Sequence, residues 1–153
     1  RRRLIDSMRG GETGVAGAAW VTTRDRIANL PNPRRKNGIP NHVFVDGARP
    51  YPGHSGSPLD EPAKTLKAGD HGVPGGENML VAPDGRVRYF TVREAARLQD
   101  FPDEQVFPCA WTEAMRQIGN AVPVGLATAV FRGVAGALRE NNSPQGGARR
   151  DQV

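Results

Sequence analysis

Cysteine is nearly missing from this chain of 153 residues: Cys109 stands alone, so no disulfide can form within the chain and a disulfide-stapled scaffold is excluded. Aromatic residues are scarce at 6%, so few large side chains are available to fill a core. No leader-like segment and no apolar run long enough to span a bilayer stand out, which leads to the expectation of a reducing, cytoplasmic setting. His42, His54 and His71 have no companions at metal-ligand spacing, so no metal site is expected. There is no internal repeat. What abounds instead is glycine (19) and proline (13), which assigns much of the chain to loops. The length suits one domain with a modest core.

Positive charge is unevenly spread. The net charge is +5 and the sequence pI about 10.1. Residues 1–36 hold nine Lys/Arg against three acids, residues 37–80 three against five, and residues 81–140 seven of each. The runs Arg1–Arg3 and Arg34–Lys36 could meet a polyanion such as nucleic acid through phosphate neutralisation, with a solvated basic surface as the alternative.

Local pattern predicts a short helix over Thr22–Leu30 ending at "PNP", then a Pro/Gly/Asn-rich passage to about Pro62 in which only "HVFV" resembles a strand. Strand segments are expected around Lys64–Ala68, Asn78–Ala82 and Arg86–Phe90, the last two joined as a hairpin by "PDG". The stretch "FTVREAARLQDFP" reads as a helix: Thr91 and Glu94 form a capping box, alanines on one face allow close packing, and Pro102 forbids continuation. Arg93 and Arg97 lie on one side of it and could simply be solvated, paired with Glu94 or Asp100. A helix around Thr112–Ile118 breaks at "GN", where Gly119 and Asn120 suit a left-handed helix end. After Pro123 a last helix carries Val124, Ala127, Phe131, Val134, Ala135 and Leu138 as an apolar stripe whose partner may be supplied from outside the chain. The tail "NNSPQGGARRDQV" is expected to be disordered.

"RYFTVREAARLQDFP" followed by "QIGNAVP" resembles motifs IX and X of the DNA cytosine-5 methyltransferase family, in the right order and at a plausible separation. Upstream, "KTLKAGDHGVPGG" resembles that family's target-recognition domain, where a Thr-Leu pair precedes glycine-rich recognition loops. The resemblance implies an enzyme that flips a cytosine out of the duplex, attacks it at carbon 6 with a cysteine thiolate, and moves a methyl group from S-adenosyl-L-methionine to carbon 5. It also implies a mixed α/β fold. A small, loop-rich, β-containing target-recognition domain (41–90) would follow a basic segment (1–40). The motif IX/X helices (91–140) would pack on a Rossmann-like domain largely absent from the chain, and 141–153 would form the tail.

By the same resemblance, Asn120 and Ala121 contact the methionine portion of the cofactor, as an amide beside free helix-start N–H groups can hold a carboxylate. Thr65 would touch the phosphate beside the flipped nucleotide, and His54, Ser55, Asp70 and His71 would lie on the two recognition loops. Arg93, Glu94 and Arg97 match motif IX, which organises the recognition domain against the catalytic one, a task suited to buried bidentate Arg–carboxylate pairs. The family's Pro-Cys-Gln nucleophile motif and its Glu-Asn-Val motif are not found in place: Ala110 follows Pro108–Cys109, and "ENM" at Glu77–Met79 falls among the recognition loops. No catalytic residue is therefore assigned, and Cys109 reads as a small buried or loop cysteine. The expected function is that of a carboxy-terminal fragment or subunit of such an enzyme, found with restriction–modification systems in a prokaryotic cytoplasm. Its expected partners are double-stranded DNA and a catalytic amino-terminal half. The alternative is a non-catalytic, sequence-specific DNA-binding module.

Overall fold

The structure, a computed structural model, describes residues 20–66, 68 and 78–142. Helix α1, Thr23–Ile27, is shorter than the expected Thr22–Leu30 and starts at a capping box: the Thr22 hydroxyl accepts from the Asp25 amide, and the Asp25 carboxylate accepts from the Thr22 amide. Its other free amides are met across the chain, Thr23 N donating to the Glu61 carbonyl at 2.9 Å and Arg24 N to the Leu59 carbonyl at 2.8 Å. These bonds tie α1 to the segment that follows the first strand of the sheet.

That sheet has three strands in the order β1 (Ser57–Pro58), β2 (Met79–Val81), β3 (Val87–Tyr89). Strands β2 and β3 form the expected hairpin, with Met79 opposite Tyr89 and Val81 opposite Val87. Gly85 closes its turn at φ +81°, its amide donating to the Ala82 carbonyl at 2.9 Å. The third strand is not at Lys64–Ala68, where one was expected. Lys64, Thr65, Leu66 and Ala68 form no strand, and Ser57–Pro58 pairs with β2 in parallel instead. Gly56, at φ +83°, permits this: a Cβ there would stand 2.8 Å from Val81 Cγ2 and 3.1 Å from the Met79 carbonyl oxygen. Nor does "HVFV" form a strand, because the His42 side chain is drawn into the interior and the loop folds on its own side-chain bonds.

Helix α2, Val92–Leu98, has the expected capping box, Thr91 Oγ1 accepting from the Glu94 amide at 3.1 Å and Glu94 Oε2 from the Thr91 amide at 2.9 Å. Its end differs from expectation. Asp100, at φ +59°, turns the chain before Pro102 is reached, with Phe101 N donating to the Ala96 carbonyl and Asp100 N to that of Arg97. Helix α3, Trp111–Asn120, runs through Gly119 and Asn120, and Ala121 ends it in an extended conformation, so the "GN" pair is helical and not left-handed. Helix α4 then spans Val124–Asn142, which takes in Asn141 and Asn142; the rest of the tail lies outside the described residues.

The core gathers Ile27 of α1, Leu66, Leu80 of β2, Phe90, Val92, Ala95 and Ala96 of α2, Phe107, and Ala114, Met115 and Ile118 of α3. Alanines at 0% exposure let α2 and α3 approach closely, and Trp111 Nε1 donates to the Phe90 carbonyl at 2.9 Å to fix the start of α3. Helix and small sheet together make a mixed α/β arrangement. Helix α4 stays outside this core, with Val124, Leu126, Val130, Phe131, Val134 and Leu138 exposed. Contrary to expectation, the stretch Trp111–Asn141 contains an 18-residue window apolar enough to cross a membrane by length and composition, with a mean hydropathy of 1.6. The extended break after Asn120 and the charge of Arg132 interrupt that stretch, and its one-sided stripe suits packing against protein.

Candidate functional site

The residues picked out in the sequence fall in three places. Arg93 and Glu94 are in the interior, at 0% and 2% exposure, although both are charged. Instead of the expected bidentate pair, Arg93 makes only a loose ion pair with a carboxylate, that of Asp103. Its guanidinium donates to three backbone carbonyls, those of Pro40 (3.3 Å), Pro102 (3.2 Å) and Gln105 (2.8 Å), while the Asp103 carboxylate stays 3.7 Å away. One side chain thus pins two loops to α2, and its hydrogen bonds offset the cost of burying it. Glu94 takes a bidentate pair from Arg88 of β3 at 2.7 and 2.6 Å, which joins hairpin to helix.

Arg97 lies at the edge, holding Asp103 bidentately and reaching the Arg26 carbonyl and the Asn29 side chain in the region of α1. The guanidinium holds the Asp103 carboxyl below its ordinary range, and the hydrogen-bonded carboxylate in turn raises Arg97. The solvated arginine face is therefore not what this helix presents.

Three residues to which the sequence assigned no such role complete this scaffold. Buried His42 has Nδ1 2.9 Å from Thr91 Oγ1 and Nε2 2.8 Å from the Pro31 carbonyl. Because a carbonyl only accepts, Nε2–H donates to it, and the Thr91 hydroxyl, already accepting from Glu94 N, donates to Nδ1. Asn41, at φ +64°, uses both ends of its amide on the Phe107 backbone, Nδ2 to O at 2.9 Å and N to Oδ1 at 2.8 Å. Asp100 pairs with Arg26 at 2.6 Å and accepts from the Gly125 amide at 3.2 Å, so α1, α2 and α4 meet at one carboxylate. The only sequence signal for Asn41 and Asp100 was their tolerance of the left-handed conformation.

The second place is the α3–α4 junction. Asn120 is exposed at the end of α3 with no hydrogen bond to its amide among the described residues, and Ala121 is half-buried, its N–H donating to the Ile118 carbonyl at 3.1 Å. Four residues on, Gly125 in the first turn of α4 already holds one carboxylate, that of Asp100, and a Cβ on Gly125 would come within 2.9 Å of it. An amide and helix-start N–H groups of this kind fit the carboxylate end of an amino-acid-like ligand.

Third comes the segment from Tyr51 to Thr65. His54 is half-buried and stacked on Tyr51, ring centroids 4.3 Å apart, with their backbones paired. Ser55 is exposed, its hydroxyl accepting from Lys64 Nζ at 3.0 Å, which brings the loop beside exposed Thr65. Ser57 Oγ accepts from the Lys64 amide at 3.0 Å and steadies the same junction. Asp70, His71 and the rest of "GDHGVPGG" lie outside the described residues. Cys109 is exposed on the loop between α2 and α3, with Gln117 Nε2 4.0 Å from its Sγ. Among the described residues, no group of His, Cys, Asp and Glu could hold a metal ion.

Residues 21–135 match the family model of the C-5 cytosine-specific DNA methylases. The chain belongs to that family. It is 33% identical over 134 residues to type II methyltransferase M.MthTI of Methanothermobacter thermautotrophicus, covering 70% of this chain and 41% of that protein. To type II methyltransferase M.AplI of Arthrospira platensis it is 43% identical over 86 residues, 56% of this chain and 25% of the relative. DNA (cytosine-5)-methyltransferase 3 of Arabidopsis thaliana is 36% identical over 132 residues, 82% of this chain but 9% of its own length. This methylase chain thus spans less than half the length of each of these relatives. The family match takes in all three places described above, from α1 to most of α4.

Proposed function

We propose that this chain is the target-recognition and motif IX–X portion of a DNA (cytosine-5-)-methyltransferase, acting with a catalytic half that is either the rest of the same polypeptide or a separate subunit. The observation that carries this reading is α4: its apolar stripe is exposed along its length, directly after the Asn120 turn, as suits a helix whose partner is the sheet of a methyltransferase domain. S-adenosyl-L-methionine, when bound, would supply the methyl group. Asn120 and the N–H groups of the turn into α4 would hold its carboxylate, and Ala121 leaves room beside them.

The DNA duplex would meet Thr65 through a phosphate, while His54 and Ser55, together with Asp70 and His71, would read base edges. Arg93, Glu94 and Arg97 would act as positioning residues, holding that surface at a set angle to the cofactor turn. Cytosine addition requires an activated thiolate in the family's Pro-Cys-Gln setting, and Cys109, exposed on a loop beside Gln117, is followed by Ala110 instead. The nucleophile would come from the catalytic half, in a cytoplasmic enzyme working beside its DNA.

The test is methyl transfer from labelled S-adenosyl-L-methionine to duplex DNA. The chain alone should transfer none, and activity should appear on adding the catalytic half and survive Cys109→Ser. In the active mixture Asn120→Ala should weaken cofactor binding about tenfold, as expected for one lost bond to a charged group, with DNA affinity unchanged. Transfer by the chain alone that Cys109→Ser abolishes would overturn the reading.

A further inference from the structure

Arg34, Arg35 and Lys36 are three consecutive exposed cations, and among the described residues no carboxylate lies within ion-pair distance of them. Neighbouring arginines are compensated, Arg24 by Asp60, Arg86 by Asp84 and Arg88 by Glu94, each at 2.6 Å. The loop that carries the three is built and not merely exposed. Asn32 Oδ1 accepts from the Arg34 amide at 2.9 Å, Asn37 Nδ2 donates to the carbonyls of Arg35 and His42 at 3.0 Å each, and Phe44 N closes the loop on the Pro33 carbonyl at 3.2 Å. Through His42 it is also tied to the cap of α2.

The Arg34 guanidinium lies over the Phe44 ring, 3.5 Å from its centroid, beside a cleft of about 540 Å³. Stacked in this way, the planar group keeps its N–H donors at its edge for a second partner, in the geometry that matches phosphate. Adjacent cations with no carboxylate partner among the described residues suit a partner whose negative charges recur at short, regular spacing, and the ordered loop backbone and stacked Arg34 reduce the entropy lost on binding.

We propose that the 32–44 loop grips the sugar–phosphate backbone of duplex DNA through Arg34, Arg35 and Lys36, adding affinity that does not depend on sequence; the inference rests on reading the chain as part of a DNA methylase. The experiment is binding of this chain to fluorescently labelled duplexes of unrelated sequence over a range of salt. Each phosphate neutralised contributes about 0.9 to the slope of log affinity against log salt, so Arg34→Gln/Arg35→Gln/Lys36→Gln should lower that slope by about 2 to 3 on every duplex. Removing the compensated pair with Asp84→Asn/Arg86→Gln should leave it unchanged. Independently of any variant, duplex DNA should protect Lys36 of the unaltered chain from chemical acetylation, and this measurement decides if the triple variant unfolds. An unchanged slope in a triple variant that melts like the unaltered chain, or a Lys36 equally reactive in the DNA complex, overturns the loop proposal alone. Protection of Lys36 by an acidic peptide but not by duplex overturns it in favour of a protein partner. Failure of the unaltered chain to bind any duplex at low salt overturns it together with the DNA-recognition reading.

Discussion

Helices α2 and α4 invert the usual relation between polarity and burial. Val92, Arg93, Glu94, Ala95 and Ala96 of α2 are all buried, two of the five being charged, whereas α4, the more apolar helix, leaves six large hydrophobic side chains in solvent. The difference lies in where their partners are. Every polar group that α2 buries is answered within the chain, by carbonyls for Arg93 and by Arg88 and the Thr91 amide for Glu94. Helix α4 meets the Asp100 carboxylate at its start, while its large apolar side chains stay exposed. One helix is completed by loops of its own chain; the other presents a surface suited to a partner.

The most damaging way to break that contrast is Arg93→Ala, which leaves three backbone carbonyls without their donor in a site too enclosed to hydrate freely. Urea unfolding should show a loss of about 3 kcal/mol, and Arg93→Lys should recover only part of it because a point charge cannot reach all three acceptors. A loss under about 1 kcal/mol would mean that the two loops do not depend on this side chain.

Acid titration gives a smaller effect with a definite sign. Asp103 has a folded-state pKa below its unfolded one through hydrogen bonds from Arg97, so the pair stabilises the fold above the unfolded carboxyl value of about 4 and loses that contribution as pH falls below it. Glu113, held at about 2 by Arg116 and Gln117, acts in the same direction. Unfolding midpoints should therefore be flat from pH 7 to 5 and fall below about 4, less steeply in Asp103→Asn. Since Asp103 is 52% exposed, solvent screens the pair and keeps the difference small. A variant curve parallel to that of the unaltered chain would remove Arg97–Asp103 from the scaffold.

Least of all should change in α4. Phe131→Glu replaces a side chain that is 72% exposed, so the stability of the chain alone should move by no more than about 0.5 kcal/mol. Association with the catalytic half, measured by calorimetry, should nevertheless weaken sharply. A loss of stability in the isolated chain above about 1.5 kcal/mol would show that α4 folds back on its own core, and the contrast with α2 would disappear.

Much of this was legible because it depends on near neighbours. The Thr91–Glu94 box and the "PDG" hairpin are settled by residues three or four apart, and both stand in the fold as read. The motif pattern that ties the chain to the DNA methylases is likewise local in sequence. Less legible were Asn41, His42 and Asp100, whose partners lie 66, 49 and 25 residues away. An isolated Asn or Asp in a loop looks the same with or without such a partner.

Sequence alone thus determined where helices α1 and α2 begin, where the hairpin turns and which family the pattern resembles, since capping, turn geometry and side-chain spacing act over a few residues. Tertiary structure decided what the arginines do. Whether Arg93 is solvated or central depends on two distant loops bringing their carbonyls to it, and whether Ser57–Pro58 or Lys64–Ala68 pairs with β2 depends on the close approach that Gly56 allows. Such choices rest on the desolvation of groups far apart in the chain, a free energy that exists only once they have been brought together.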